Sequence, residues 1–92
     1  MIVVSLAGHD KQRVYLIRKI DGKYAWLADG STRPLERMKR KSVRHLRPLG
    51  QALDQSHIDQ LDEPAESGQK NALLRRILAE YLNTNPLKEE IR

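Results

Sequence analysis

The chain has 92 residues, with 17 Lys/Arg against 12 Asp/Glu, one Trp, three Tyr and neither Phe nor Cys. That length allows one small domain, whose core must be built mainly from Leu, Ile and Val. The lack of Cys excludes disulfides, thiolate metal sites and a cysteine nucleophile, and no apolar run approaches membrane-spanning length. Met1 to Leu6 is too short for a secretion signal and lacks its basic flank, so a soluble cytoplasmic protein is expected.

In chain order, Met1 to Leu6 reads as an opening strand in which Ile2, Val4 and Leu6 share one face. A polar loop, Ala7 to Gln12, follows, with Gly8 suited to a left-handed backbone that would aim loop amides and Lys11 outward. Such a loop fits a phosphate backbone, and it fits an ordinary connecting turn equally well. Val14 to Ile20 is rich in β-branched residues and stops at Asp21-Gly22, a pair that tolerates the positive φ angles of a tight hairpin. In this strand Tyr15 and Ile17 face opposite to Val14 and Leu16, and the sequence leaves open which pair lies inside. The chain returns as Tyr24 to Ala28 and meets a second such pair, Asp29-Gly30. A fourth strand is expected around Arg33 to Met38, with Pro34 at an edge or start. Lys39-Arg40-Lys41 then leads into a last strand, Val43 to Leu49. The fold class expected from this pattern is mainly β: a small, strongly bent barrel followed by a C-terminal helix.

Charge is unevenly placed. Residues 1–50 hold twelve Lys/Arg against four Asp/Glu, whereas residues 51–92 hold five against eight. A basic strand-rich half with an acidic appendage suggests a platform for a polyanion, although a basic surface also serves solubility alone. Arg33, Arg37, Lys39, Arg40, Lys41, Arg44 and Arg47 crowd into one short stretch. In extended backbone Arg33 and Arg37 share a face, as do Lys39 and Lys41. Guanidinium groups grip phosphate oxygens bidentately and lysines act as point charges. Tyr24 and Trp26 share strand parity and are suited to stacking on unpaired bases, but the chain's only Trp is more readily explained as core.

Catalytic and metal chemistry find no support. His9, His45 and His57 are scattered and have no cysteine partners. Ser67 and Lys70 match a Ser-x-x-Lys spacing inside a polar linker, where chance explains it. No carboxylate pair has an apolar context. An enzyme, a metal and a cofactor are therefore not expected.

Residues 51–68 read as an acidic linker containing a short helical turn started by Asp54. Residues 69–84 read as an amphipathic helix in which Leu73, Ile77 and Tyr81 recur every four residues beside Leu74, Leu78 and Leu82. Pro86 ends it, and residues 85–92 form a tail. Such a helix must cover its apolar face. It packs on its own sheet, pairs with a second copy as a homodimer, or docks on a protein partner.

Val4, Gly8 and Lys11, followed by an apolar strand, resemble the KOW motif of several ribosomal proteins and transcription elongation factors. Behind them, Ala28-Asp29-Gly30-Ser31-Thr32-Arg33-Pro34, Lys39 with Lys41, and His45-Leu46 resemble bacterial KOW-domain proteins related to large-subunit ribosomal proteins of the fourteen-e type. The resemblance covers residues 1–50. It implies an SH3-like barrel that binds structured RNA, ribosomal RNA foremost, through Lys11, Arg13, Arg33, Arg37, Lys39, Arg40, Lys41, Arg44 and His45. The rival class is a protein-interaction adaptor or transcription-elongation module that uses the helix. Family members usually carry Gly directly after the loop lysine, where this chain has Gln12.

Overall fold

The computed structural model describes residues 1–87; residues 88–92 of the expected tail lie outside them. Five antiparallel strands form one sheet: β1 (Ile2–Ser5), β2 (Val14–Asp21), β3 (Tyr24–Ala28), β4 (Lys39–Ser42) and β5 (Leu46–Gly50). Their spatial order is β4-β3-β2-β1-β5, so the sheet is open, with β4 and β5 as its two edges. Two helices follow, α1 (Gln55–Leu61) and α2 (Ser67–Thr84).

The hairpin at Asp21-Gly22 forms as expected, with Gly22 at φ +62°. The stretch after it differs from the expected strands. Asp29 does not close a second tight hairpin. Its carboxylate accepts from the backbone N–H of Ser31 and Arg33, folding the chain into a loop. Leu35–Arg37 then form a single 3-10 turn, and the strand is the basic triplet plus Ser42. Val43–His45 make a second 3-10 turn, and β5 begins only at Leu46. Lys and Arg have little preference for strands, but pairing with β3 supplies hydrogen bonds that Arg33 to Met38, led by Pro34, cannot supply as regularly.

Both faces of the central strands are buried. Val3, Tyr15, Ala25 and Leu27 form one cluster on one face, with Ile17 and Leu46 against it. Ile2, Leu16 and Ala28 form the opposite face and meet Leu61, Leu74, Ile77, Leu78 and Tyr81 from the helices. Tyr15 and Leu16 are thus both interior, because α2 covers the face that a bare sheet would leave wet.

The apolar stripe of α2 is used within the chain. Leu74, Ile77, Leu78 and Tyr81 are buried, and Leu73 and Leu82 pack against the same cluster. Each large side chain buried in this way contributes about 1.5–3 kcal/mol. A homodimer or adaptor interface built on these six residues would have to displace the helix from its own sheet. Polar clips set the helix register. Asn71, 6% exposed, accepts from Leu35 N–H and donates to Glu36. Arg75 donates to the Gly30 carbonyl.

The linker contains α1, capped by Asp54, whose carboxylate accepts from Ser56 N–H. His57 lies 3.6 Å from Asp54 and 3.4 Å from Glu80, tying α1 to α2. A register shift between Ile17 and Lys19 leaves Arg18 unpaired, and its guanidinium reaches Asp62 at 2.6 Å. Among the described residues no helix is long and apolar enough to cross a membrane.

Candidate nucleic-acid interface

Asp10 organises the basic half. It sits in the β1–β2 loop and is only 6% exposed. Its carboxylate accepts from Ser5 Oγ at 3.0 Å, from Tyr15 Oη at 3.1 Å and from Lys41 Nζ at 2.9 Å. Lys39 Nζ lies 3.2 Å from its other oxygen. Lys39 and Lys41 reach the same carboxylate because residues two apart on a strand share a face. Lys41 also donates to the Ala7 carbonyl, bolting the loop to the β4 edge.

The electrostatics follow from this geometry. Burial alone would raise the Asp10 pKa, but the hydrogen bonds from Lys41, Ser5, Lys39 and Tyr15 outweigh it and hold the carboxyl well below the usual carboxylate range. Tyr15 moves the other way. Burial, the Asp10 charge and the hydrogen bond to Asp10 push its phenol up to about 12.

The loop backbone turns inward. Lys11, Gln12 and Arg13 N–H groups bond to the carbonyls of Gly8, Ser5 and Asp10, so these three amides do not point at a ligand as expected. Gly8 takes the expected positive φ, and Gln12 takes one too, at +72°. The glycine that the KOW-like pattern carries there therefore matches a left-handed backbone position, independently of any contact with a ligand.

The nine expected contact residues divide into groups. Lys39 and Lys41 are half-buried and hold Asp10. Lys11 and Arg13 are exposed on the loop, and Arg13 donates to Thr32 at 2.9 Å, linking it to the β3–β4 connection. Arg44 and His45 are exposed on the 3-10 turn beside that loop, where the His45 carbonyl accepts from Leu6 N–H. The same turn touches the first hairpin through Val43 N–H and the Lys23 carbonyl, bringing Lys23 to the cluster. Arg40 points to the opposite face of β4, its guanidinium 4.2 Å above the Tyr24 ring. Arg33 and Arg37 stand apart on the connection under α2, Arg33 half-buried and Arg37 exposed.

Among the described residues, none of Lys11, Arg13, Lys23, Arg40, Arg44 or His45 forms an ion pair with a carboxylate. Asp10 and Lys23 escape sequence reasoning. Neither carries a local mark: Asp10 lies 31 positions from Lys41, and the acid inside the basic run, Glu36, bonds Asn71 instead.

Trp26 is half-buried and belongs to neither core cluster, unlike the expectation that the sole Trp would be core. Register explains this. Trp26 shares a face with Tyr24 and Ala28, and only Ala28 joins the helix-packed cluster. Among the described residues no group of three or more His, Cys, Asp or Glu is placed to hold a metal ion.

Comparison with protein-family models returns no match, and comparison with curated proteins returns none either.

Proposed function

We propose that this protein is a non-catalytic RNA-binding module that grips phosphates of structured RNA through the exposed cations of the β1–β2 loop and the Val43–His45 turn. The observation that carries this reading is the division of labour among the basic residues. Asp10 ties Lys39 and Lys41 into the scaffold and offsets one of their two charges, whereas Lys11, Arg13, Lys23, Arg44 and His45 remain solvent-facing without a described carboxylate partner. Exposed basic side chains on loops and turns, without internal partners, suit sequence-independent phosphate contact. The order of five short strands and the KOW-like residues support an SH3-like fold and a ribosomal RNA target in the cytoplasm.

The test is binding of a structured ribosomal RNA fragment measured over a series of salt concentrations, with wild type beside the double variant Lys11→Glu, Arg44→Glu. Both side chains are exposed, so the variant folds. It should lose at least tenfold in affinity, and its salt slope should fall by roughly two, one per phosphate contact. Equal binding by the two proteins, or binding that ignores salt, overturns the proposal. Reversing Lys39 and Lys41 instead would strand Asp10 and confound folding with binding.

A further inference from the structure

We propose that the outward face of β2, β3 and β4 is a second contact surface, one that stacks on unpaired nucleobases. The inference rests on the RNA-binding reading and adds the class of RNA to it.

The register shift at Arg18 places Lys19 directly opposite Trp26, and Arg40 lies opposite Trp26 on the other side. Lys19, Trp26 and Arg40 therefore form one row across three strands. The next row carries Tyr24, paired with Asp21 and Ser42. Tyr24 is 40% exposed, Trp26 is half-buried, and Lys19 and Arg40 are exposed. The Arg40 guanidinium carbon sits over the Tyr24 ring, 4.2 Å from its centre.

Two aromatic side chains, a planar cation and a flanking lysine on one rigid face match the chemistry of an unpaired base and its phosphate. A duplex hides its base faces in its own stack and offers this row only phosphates. A protein partner would be expected to meet an apolar surface here, whereas Lys19 and Arg40 flank Trp26 and Arg40 also covers Tyr24, with Asp21 the one acid beside them. Core packing does not explain the aromatics either, since the helix-packed cluster takes Ala28 from this face and leaves Trp26 and Tyr24 outside. The phosphate-gripping side chains lie on the loop and turn, and this row lies on the face of β4 opposite Lys39 and Lys41, so the two surfaces are separate and are tested separately.

Trp26 is the only tryptophan, so its fluorescence reports on this face alone. The experiment titrates the full chain with a short oligouridylate and with a blunt RNA duplex of equal length, following Trp26 emission and affinity. The oligouridylate should quench Trp26 and the duplex should not. Tyr24→Ala should weaken oligouridylate binding by roughly tenfold or more and leave duplex binding unchanged. Arg40→Lys keeps the charge but loses the planar stack, so it should retain the salt slope while losing the single-strand preference. Salt-sensitive binding of both RNAs with equal affinity and constant Trp26 emission overturns this inference and leaves the phosphate-binding reading standing. Absence of binding to either RNA overturns both.

Discussion

The Asp10 carboxylate and the Lys41 ammonium meet at 2.9 Å across 31 positions of sequence, and this contact holds the β1–β2 loop on the β4 edge. It also explains why two lysines of the basic run are not counted among the phosphate contacts. Both ammonium groups are half-buried and held on the carboxylate, so although the cluster keeps one net positive charge neither side chain is free to reach a phosphate.

Stability should depend on pH at both extremes because of this cluster. Folding lowers the Asp10 pKa, so its contribution is complete above the ordinary carboxylate value of about 3.9 and is lost as pH falls below it. Folding raises the Tyr15 pKa to about 12, so its contribution is complete below about 10 and is lost as pH climbs toward 12. Asp10→Asn should shrink the acid limb, leaving only the part that Glu36 and Asp54 supply, and cost about 3 kcal/mol at neutral pH by leaving two lysines facing a neutral amide. Urea unfolding across a pH series checks both points; an unchanged acid limb in the variant would refute the assignment to Asp10.

Gln12 holds a left-handed backbone at φ +72°, which an L side chain adopts at a cost. Gln12→Gly should therefore stabilise the fold by about 1 kcal/mol. Chemical denaturation measures this directly, and a destabilised variant would show that the Gln12 side chain has a role of its own.

Gly30 is closed to side chains for two reasons. Its φ is +78°, and a methyl group there would run into the Asn71 carbonyl oxygen, with the Arg75 side chain 3.1 Å away. Gly30→Ala should cost about 2 kcal/mol or more and should loosen α2 first. Hydrogen exchange resolved along the chain should show the amides of α2 losing protection before those of β1 and β2.

Leu74 is fully buried beneath the sheet. Leu74→Ala should cost about 2–5 kcal/mol in a cooperative transition that includes the strands. If α2 served only as a detachable docking element, the same variant would leave the unfolding midpoint of the sheet where it was. A melt followed by β-sheet circular dichroism separates the two cases.

Much of the local structure was legible from residue order. The first hairpin followed from Asp21-Gly22, the second helix from its four-residue apolar repeat, and the short helical turn of the linker from its Asp54 cap. The β3–β4 region was not. Arg33 to Met38 looked like a strand and Lys39 to Lys41 like a connection, because residue preferences favour neither assignment strongly and strand pairing outweighs them. The nine candidate contact residues were visible as charge, but their separation into scaffold, loop and outer-face groups was not.

The sequence by itself determined the segregation of positive charge into residues 1–50, the shared face of Lys39 and Lys41, the parity of Tyr24 with Trp26 and the amphipathic stripe of α2. The first is a matter of composition and the others follow from short-range periodicity. Only the tertiary structure decided that Asp10 takes up the two lysines, that both Tyr15 and Leu16 are interior, that α2 covers Ala28 but not Trp26, and which cations face solvent. Those outcomes depend on which distant groups meet, and a local pattern sets the direction of a side chain without specifying what stands opposite it.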